Sequence, residues 1–332
     1  MHAVMVRLSA LGDVTLTTGV LHFWHQTRGM TFTVVTRDPL TPLFAGHPAV
    51  RDVIAVTDAH RSPHGWLCFA RTLARRFAGF PLIDLHGTLR TRLLQMLWHG
   101  PVHRYPKFSL SRRLFRATHH PGMGVRLLAS SVPQRYALAL EHQAPERTSL
   151  VPRLFPSPKE LAWASALLKD LGLCRPLALH PYATHPAKTP KPAWWRTLLC
   201  TLQEADVPCL VIGHSSTPLI AHSPVDRTSR DSLRQTMALL SLCQGLVTGD
   251  SGPMHLAWGV DTPVFALFGP TTAHWGFVPE GDRHHILTAS CPKAPCSLHG
   301  KTPCPDGATC LDRLDPQSIA ASILRWRARV LP

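Results

Sequence analysis

Short apolar runs of strand length alternate with longer stretches of helical periodicity through most of this 332-residue chain, and that alternation restricts its fold more than any other feature. Residues 3–8, 31–36, 52–56 and 81–85 read as strands, with helices over 14–26, 66–80 and 89–98. A proline-punctuated segment, Val151-Pro152-Arg153-Leu154-Phe155-Pro156-Ser157-Pro158, reads as a linker. Beyond it, helices over 159–173, 193–205 and 231–244 alternate with strands over 177–180, 208–213, 245–248 and 262–270. Such alternation implies parallel sheets covered on both faces. The prediction is an α/β chain of two Rossmann-like domains whose parallel sheets face a central cleft, since open parallel sheets bind ligands beyond their carboxyl edges. The domains are placed at 1–152 and 153–314, with a final helix in 315–332 packing back on the N-terminal domain.

No run approaches the roughly 18 apolar residues of a membrane-spanning helix, and the first residues lack the pattern of a secretory signal. A cytoplasmic, soluble chain is expected. The balance of 35 Lys and Arg against 20 Asp and Glu, a net charge of +15, predicts an anionic partner. Nucleic acid, an acidic lipid surface and a phosphorylated substrate all satisfy that charge. Five of the nine cysteines, Cys68, Cys174, Cys200, Cys209 and Cys243, have apolar sequence neighbours and read as reduced core residues.

Three stretches carry chemistry. Thr248-Gly249-Asp250-Ser251-Gly252-Pro253-Met254-His255 follows an apolar run and opens another, the pattern of a strand turning into a helix whose backbone N–H groups hold a phosphate. An ordinary capped turn fits it equally well. Ser9-Ala10-Leu11-Gly12-Asp13 follows the first strand; Asp13 there is a general base or, by frequency alone, the cap of the next helix. Lys188, in the long loop after the strand at 177–180, is a point charge for a diphosphate or a solvated lysine. The stretch 103–120 breaks the α/β rhythm with Arg104, Lys107, Arg112, Arg113 and Arg116 and no acidic residue, which favours an anion site over a solvated face. Cys291, Cys296, Cys304 and Cys310 lie in a Pro- and Gly-rich loop, 291–310, with His299 nearby. They read as ligands of a structural zinc or iron, a redox-sensitive cluster, or reduced thiols.

Taken in order, Arg7-Leu8-Ser9-Ala10-Leu11-Gly12-Asp13-Val14, Asp84-Leu85-His86-Gly87-Thr88-Leu89-Arg90-Thr91, His180-Pro181 with Lys188, and Gly249-Asp250-Ser251-Gly252-Pro253-Met254-His255 through Phe268-Gly269-Pro270-Thr271 resemble glycosyltransferase family 9, the lipopolysaccharide heptosyltransferases. The resemblance implies a GT-B fold and an inverting transfer from ADP-heptose to a lipopolysaccharide core or lipid A precursor. It implies no catalytic metal, and work at the anionic inner face of the inner membrane with no nucleic-acid partner. It makes Asp13 the base. It assigns the donor to Lys188, Thr184, Gly213, Asp250, Ser251, Gly252, Pro253, Met254 and His255, and the acceptor to Ser9, Gly12, Arg90, Lys107, Arg112 and Arg113. Three departures bear on the donor: Tyr182 stands where the family usually has glycine, Lys188-Thr189-Pro190-Lys191-Pro192 where it usually has Lys-Arg-Trp-Pro, and no acidic residue follows Gly213. They leave open another nucleotide sugar or a protein acceptor. A non-catalytic anion-binding protein is the rival of a different class.

Overall fold

The computed structural model describes residues 1–301, 304 and 309–330. It contains two compact units, Met1–Ser109 with Ala129–Pro156, and Leu110–Leu128 with Ser157–Pro332. The first holds β1 (His2–Val6), α1 (Leu11–Arg28), β2 (Thr31–Arg37), β3 (Val50–Val56), α2 (Pro63–Arg76), β4 (Leu82–Asp84), α3 (Leu89–Leu97) and β5 (Val102–Arg104). Next come α4 (Ser109–Thr118), α5 (Pro121–Leu128) and α6 (Val132–Ala137). The second unit continues with α7 (Pro158–Asp170), β6 (Leu177–His180), α8 (Pro192–Glu204), β7 (Cys209–Val211), α9 (Leu233–Leu242) and β8 (Gly245–Gly249). It closes with α10 (Gly252–Gly259), β9 (Val264–Phe268), β10 (His285–Thr288) and α11 (Pro316–Val330).

Both sheets have five strands, ordered β3-β2-β1-β4-β5 and β10-β9-β8-β6-β7, and every strand pair is parallel. The central strands are buried at nearly every residue, as strands covered on both faces must be. In the first sheet the chain runs outward from β1 through β2 to β3, then returns to β4 on the other side of β1. In the second it runs from β6 to β7, then returns to β8 on the other side of β6. Each sheet therefore has one point where strand order reverses, between β1 and β4 and between β6 and β8. Loops leaving the carboxyl ends of those strands diverge there and leave a crevice.

Three expectations are corrected. Residues 110–128, expected in the N-terminal domain, cluster with the second unit, where Phe115 packs its ring on His274 at 4.6 Å and on Trp275 at 6.3 Å. The C-terminal helix, expected on the N-terminal domain, packs on α8 instead, burying Ile319, Ala320 and Ile323 in the core of the second unit. Each buried isoleucine contributes roughly 1.5–3 kcal/mol to that attachment. Cys68, Cys174 and Cys200 are exposed, and of the five proposed core thiols only Cys209 and Cys243 are buried. Cys68 shows why: α2 buries Trp66, Ala70, Leu73 and Ala74, a stripe at helical spacing that leaves residue 68 on the outer face.

Candidate active site

Asp13 lies at the reversal point of the first sheet. The helix begins earlier than the sequence pattern indicates, at Leu11 with Ala10 in the capping position, so Asp13 sits in the first turn of α1. Its Oδ2 accepts a long bond, 3.5 Å, from the Ala10 N–H. Its firmer partners lie elsewhere in the chain. The Arg7 guanidinium reaches Oδ1 at 2.7 Å and the Tyr136 hydroxyl donates to the same oxygen at 2.9 Å, while the Asp13 side chain keeps 23% of its exposure. A carboxylate held at one oxygen by two donors has a fixed orientation, and helix-end polarity favours its charge.

The holders are themselves held. Arg7 donates to the Leu85 carbonyl at 2.5 Å and lies 5.4 Å from the Tyr136 ring centroid. Burial opposes the Arg7 charge, yet Asp13, Tyr136 and Tyr105 together outweigh it, so the guanidinium stays protonated. Burial, with the Asp13 charge and hydrogen bond, pushes the Tyr136 hydroxyl well above its ordinary range; it remains a proton donor. Beside them, His86 is lowered to about 3 by burial and by Arg7 and Lys107, so it is a neutral imidazole at pH 7.

The reversal point of the second sheet carries the octet. Ser251 occupies the capping position of α10 without capping it. Its hydroxyl turns to Thr248 Oγ1 at 3.1 Å and His180 Nδ1 at 3.3 Å. The first-turn N–H groups of α10 thus carry no side-chain cap, which suits them to an anion. Burial alone lowers His180 to about 4, keeping it neutral between these hydroxyls.

Lys188 and Asp250 form one unit. The Lys188 Nζ meets Asp250 Oδ2 at 2.7 Å, and the Thr271 hydroxyl donates to the same oxygen at 2.7 Å. Burial works against the Asp250 charge, but Lys188, with Thr271 and His255, holds its pKa below the usual carboxylate value. Asp250 is therefore the anchor that aims Lys188. The close approach requires Gly249: a Cβ there would lie 2.0 Å from the Lys188 carbonyl oxygen. Thr189 steadies the same loop, donating to the Pro181 carbonyl at 3.0 Å and accepting from Trp195 Nε1 at 2.9 Å.

The remaining residues expected at the donor divide. Thr184 is exposed in the loop that carries Lys188. Gly213 has φ +130°, and a Cβ would strike the rings of His180 and Tyr182 at 2.7 Å. Tyr182 itself is fixed by Thr228 Oγ1 at 2.6 Å and the Leu219 N–H at 2.9 Å. Met254 and His255 are buried, so their side chains serve the core and only their backbone lies at the helix start. Pro253 has no N–H to offer.

The residues expected at the acceptor are also separated. Ser9, Gly12, Arg90 and Lys107 belong to the first unit, whereas Arg112 and Arg113 ride on α4 in the second. Arg90 is occupied structurally, donating to the Arg61 carbonyl at 2.5 Å with its guanidinium 5.9 Å from the Trp66 ring centroid. Lys107 donates to the carbonyls of His86 and Gly87, both at 3.3 Å.

Cys291, Cys296, Cys304 and Cys310 border one small cavity of about 10 Å³ together with Ala187 and Pro270. Burial, then the other three thiols, raises Cys310 to about 11. Among the described residues, however, no three His, Cys, Asp or Glu side chains are grouped so as to hold a metal ion.

Residues 152–303, which hold Lys188, Asp250 and α10, match a family model described as glycosyltransferase family 9 (heptosyltransferase). Along almost its full length, the chain is 26% identical to lipopolysaccharide heptosyltransferase 1 of Pseudomonas aeruginosa, with 97% of each covered. Over residues 152–303 the chain is thus similar to glycosyltransferase family 9. A further relative, lipooligosaccharide heptosyltransferase 2 of Haemophilus influenzae, is 37% identical over 51 residues, a match spanning 15% of either protein. Two solved structures share the fold. E. coli ADP-heptose lipopolysaccharide heptosyltransferase II has a TM-score of 0.74 at 17% identity over 99% of both chains. E. coli heptosyltransferase WaaC with ADP has 0.65 at 18% identity over 98% of this chain and 99% of that one. The fold expectation of two α/β units of GT-B type is met in this respect. Asp13, Lys188 and Asp250 stand out in the sequence, whereas Tyr136, which lies 123 residues from Asp13, carries no local signal.

Proposed function

We propose that this chain is a family 9, inverting glycosyltransferase that moves heptose from ADP-heptose to a hydroxyl of the lipopolysaccharide inner core. The observation that carries the reading is the pairing of chemistries at the two reversal points: a carboxylate oriented by Arg7 and Tyr136 in one sheet, and an aimed lysine beside an uncapped helix start in the other.

In this reading Asp13 accepts the proton of the attacking hydroxyl as the new bond forms at the anomeric carbon. The bond from that carbon to the diphosphate oxygen breaks, and ADP departs with the electron pair. Lys188 and the first-turn N–H groups of α10 stabilise the negative charge that grows on the diphosphate. Attack opposite the leaving group inverts the anomeric centre, and no metal takes part. WaaC was solved with ADP, which supports this nucleotide. The rigidly held Tyr182, and His214 in place of an acid after Gly213, favour as second reading a different nucleotide sugar or a protein acceptor.

An anionic membrane surface as partner is supported by α4 and α5, which expose Leu110, Leu114, Val125 and Leu128 beside the exposed Arg113 and Arg116. No helix among the described residues is long and apolar enough to cross a membrane. The test is a panel of ADP-, GDP- and UDP-sugars assayed for nucleotide release with an inner-core acceptor. Release confined to ADP-heptose supports the reading; release only from another nucleotide sugar overturns the donor assignment.

A further inference from the structure

At the amino edge of the second sheet, four loops meet around a cavity of about 190 Å³. They are the segments leading into β6, β8, β9 and β10, and they contribute Arg175, Gln244, Pro263 and Arg283 in turn; Trp326 of α11 adds a wall. Because these strands are parallel, the cavity lies at the edge opposite the one that carries Lys188 and Asp250. The five residues of β8 separate Gln244 from Asp250, about 20 Å at the ~3.3 Å rise of a parallel strand.

The cavity holds polar groups that the protein leaves open. Gln244 is only 4% exposed and its Oε1 is enclosed without a hydrogen-bond partner, so the NH₂ end of the amide is the one turned to the cavity. Buried amides with an unmade bond cost stability and are rare. Arg175 stands exposed at the rim with φ +43° and pairs with no carboxylate among the described residues. The lining carboxylate, Asp261, is taken by Arg283, which also donates to the Asp261 carbonyl at 2.7 Å. Two lining hydroxyls direct their protons away, Ser241 to the Ala238 carbonyl at 2.8 Å and Thr262 to the Leu240 carbonyl at 2.7 Å. Their oxygens keep lone pairs for the donors of a ligand.

Trp326 is held in place, its ring edge-on to Phe265 at 5.2 Å and to His285 at 6.2 Å. The carboxyl end of α9, at Leu242, brings partial negative charge to the same edge, so an anion without donors is poorly matched there. A ligand that joins an anionic group to a flat ring and to hydroxyl donors satisfies all of these features. We propose that this cavity is a second small-molecule site, for a nucleoside monophosphate. The phosphate sits on Arg175, the base lies against Trp326 with its edge accepting from the Gln244 amide, and the ribose hydroxyls donate to the oxygens of Ser241 and Thr262. The site is independent of the transfer chemistry and of the sugar nucleotide that the protein uses.

The test is titration of the full chain with UMP, GMP, their nucleosides and inorganic phosphate by ligand-observed NMR, repeated on R175Q, Q244M and K188M. At least one nucleotide should bind, about tenfold more tightly than its nucleoside or phosphate. R175Q should weaken it about tenfold, as expected for loss of a charge-assisted contact. Q244M should weaken it without lowering Tm, because the free protein leaves that amide unbonded, and K188M should bind it as wild type does. Absence of nucleotide binding, or phosphate binding as tightly as the nucleotides, overturns the site. Wild-type affinity in R175Q with loss in K188M overturns it as well, by placing the nucleotide at the Asp250 turn.

Discussion

Substituting Asp250 tests whether the second unit is built to aim Lys188. The pair is 2.7 Å apart with side chains 18% and 9% exposed, so Asp250→Asn leaves an ammonium with little water and no counter-charge. Breaking a fully buried pair costs about 3–5 kcal/mol, and the remaining exposure of Lys188 reduces this to about 2–3 kcal/mol. For a unit of this size that is a fall in Tm of roughly 4–12 °C. Asparagine keeps an oxygen for the Thr271 hydroxyl, so the loss reports on charge and not on that bond. Lys188→Met removes the cation instead, and the double variant removes both. In a cycle of denaturant unfolding followed by fluorescence, the double variant should be more stable than the summed single losses by about 2 kcal/mol. Additivity to within about 0.5 kcal/mol would show that the pair is incidental, and the anchoring role of Asp250 would be wrong.

Tyr136→Phe keeps the ring between Arg7 and Tyr105 and removes one of the two donors to Asp13 Oδ1. A hydrogen bond to a charged group is worth about 1.5–3 kcal/mol, so kcat should fall about tenfold or more with little change in ADP affinity; unchanged kcat would show that Tyr136 does not position the base. Acid should destabilise the fold through buried histidines. His180 and His47 are lowered to about 4 and His86 to about 3, each chiefly by burial. The unfolded chain binds these protons first, so stability is intact above the ordinary histidine pKa of about 6.5 and is lost as pH falls from there towards 4. Thermal unfolding should show Tm dropping across that window, and a flat profile would contradict their neutral burial. Leu110→Ser with Leu114→Ser should weaken binding to phosphatidylglycerol vesicles about tenfold or more, read by sedimentation, since each exposed leucine loses about 1 kcal/mol of insertion; unchanged binding would rule out this face.

Most of the architecture could be read from the chain because its central strands are continuous apolar runs, as in β8 and β9. The edge strands β5 and β10 escaped notice: they are 3 and 4 residues long and half-exposed, so neither length nor apolar content marks them. Asp13 was misplaced by a turn because Ala10 gives no capping signal where α1 begins. At the site, single residues were legible but their partnerships were not. Lys188 and Asp250 are 62 positions apart, and only the return of the chain from β7 to β8 beside β6 brings their loops together. Arg112 and Arg113 looked continuous with Lys107 in sequence, yet Phe115 fastens their helix to the second unit.

The central claim is that Asp13 takes the proton in transfer from ADP-heptose. It is tested most directly by measuring heptose transfer to an inner-core acceptor by wild type and Asp13→Ala, with ADP binding measured on the same preparations. Loss of general-base assistance predicts a fall in turnover of about 10²–10⁴-fold with ADP affinity preserved. Near-normal turnover in the variant would contradict the account.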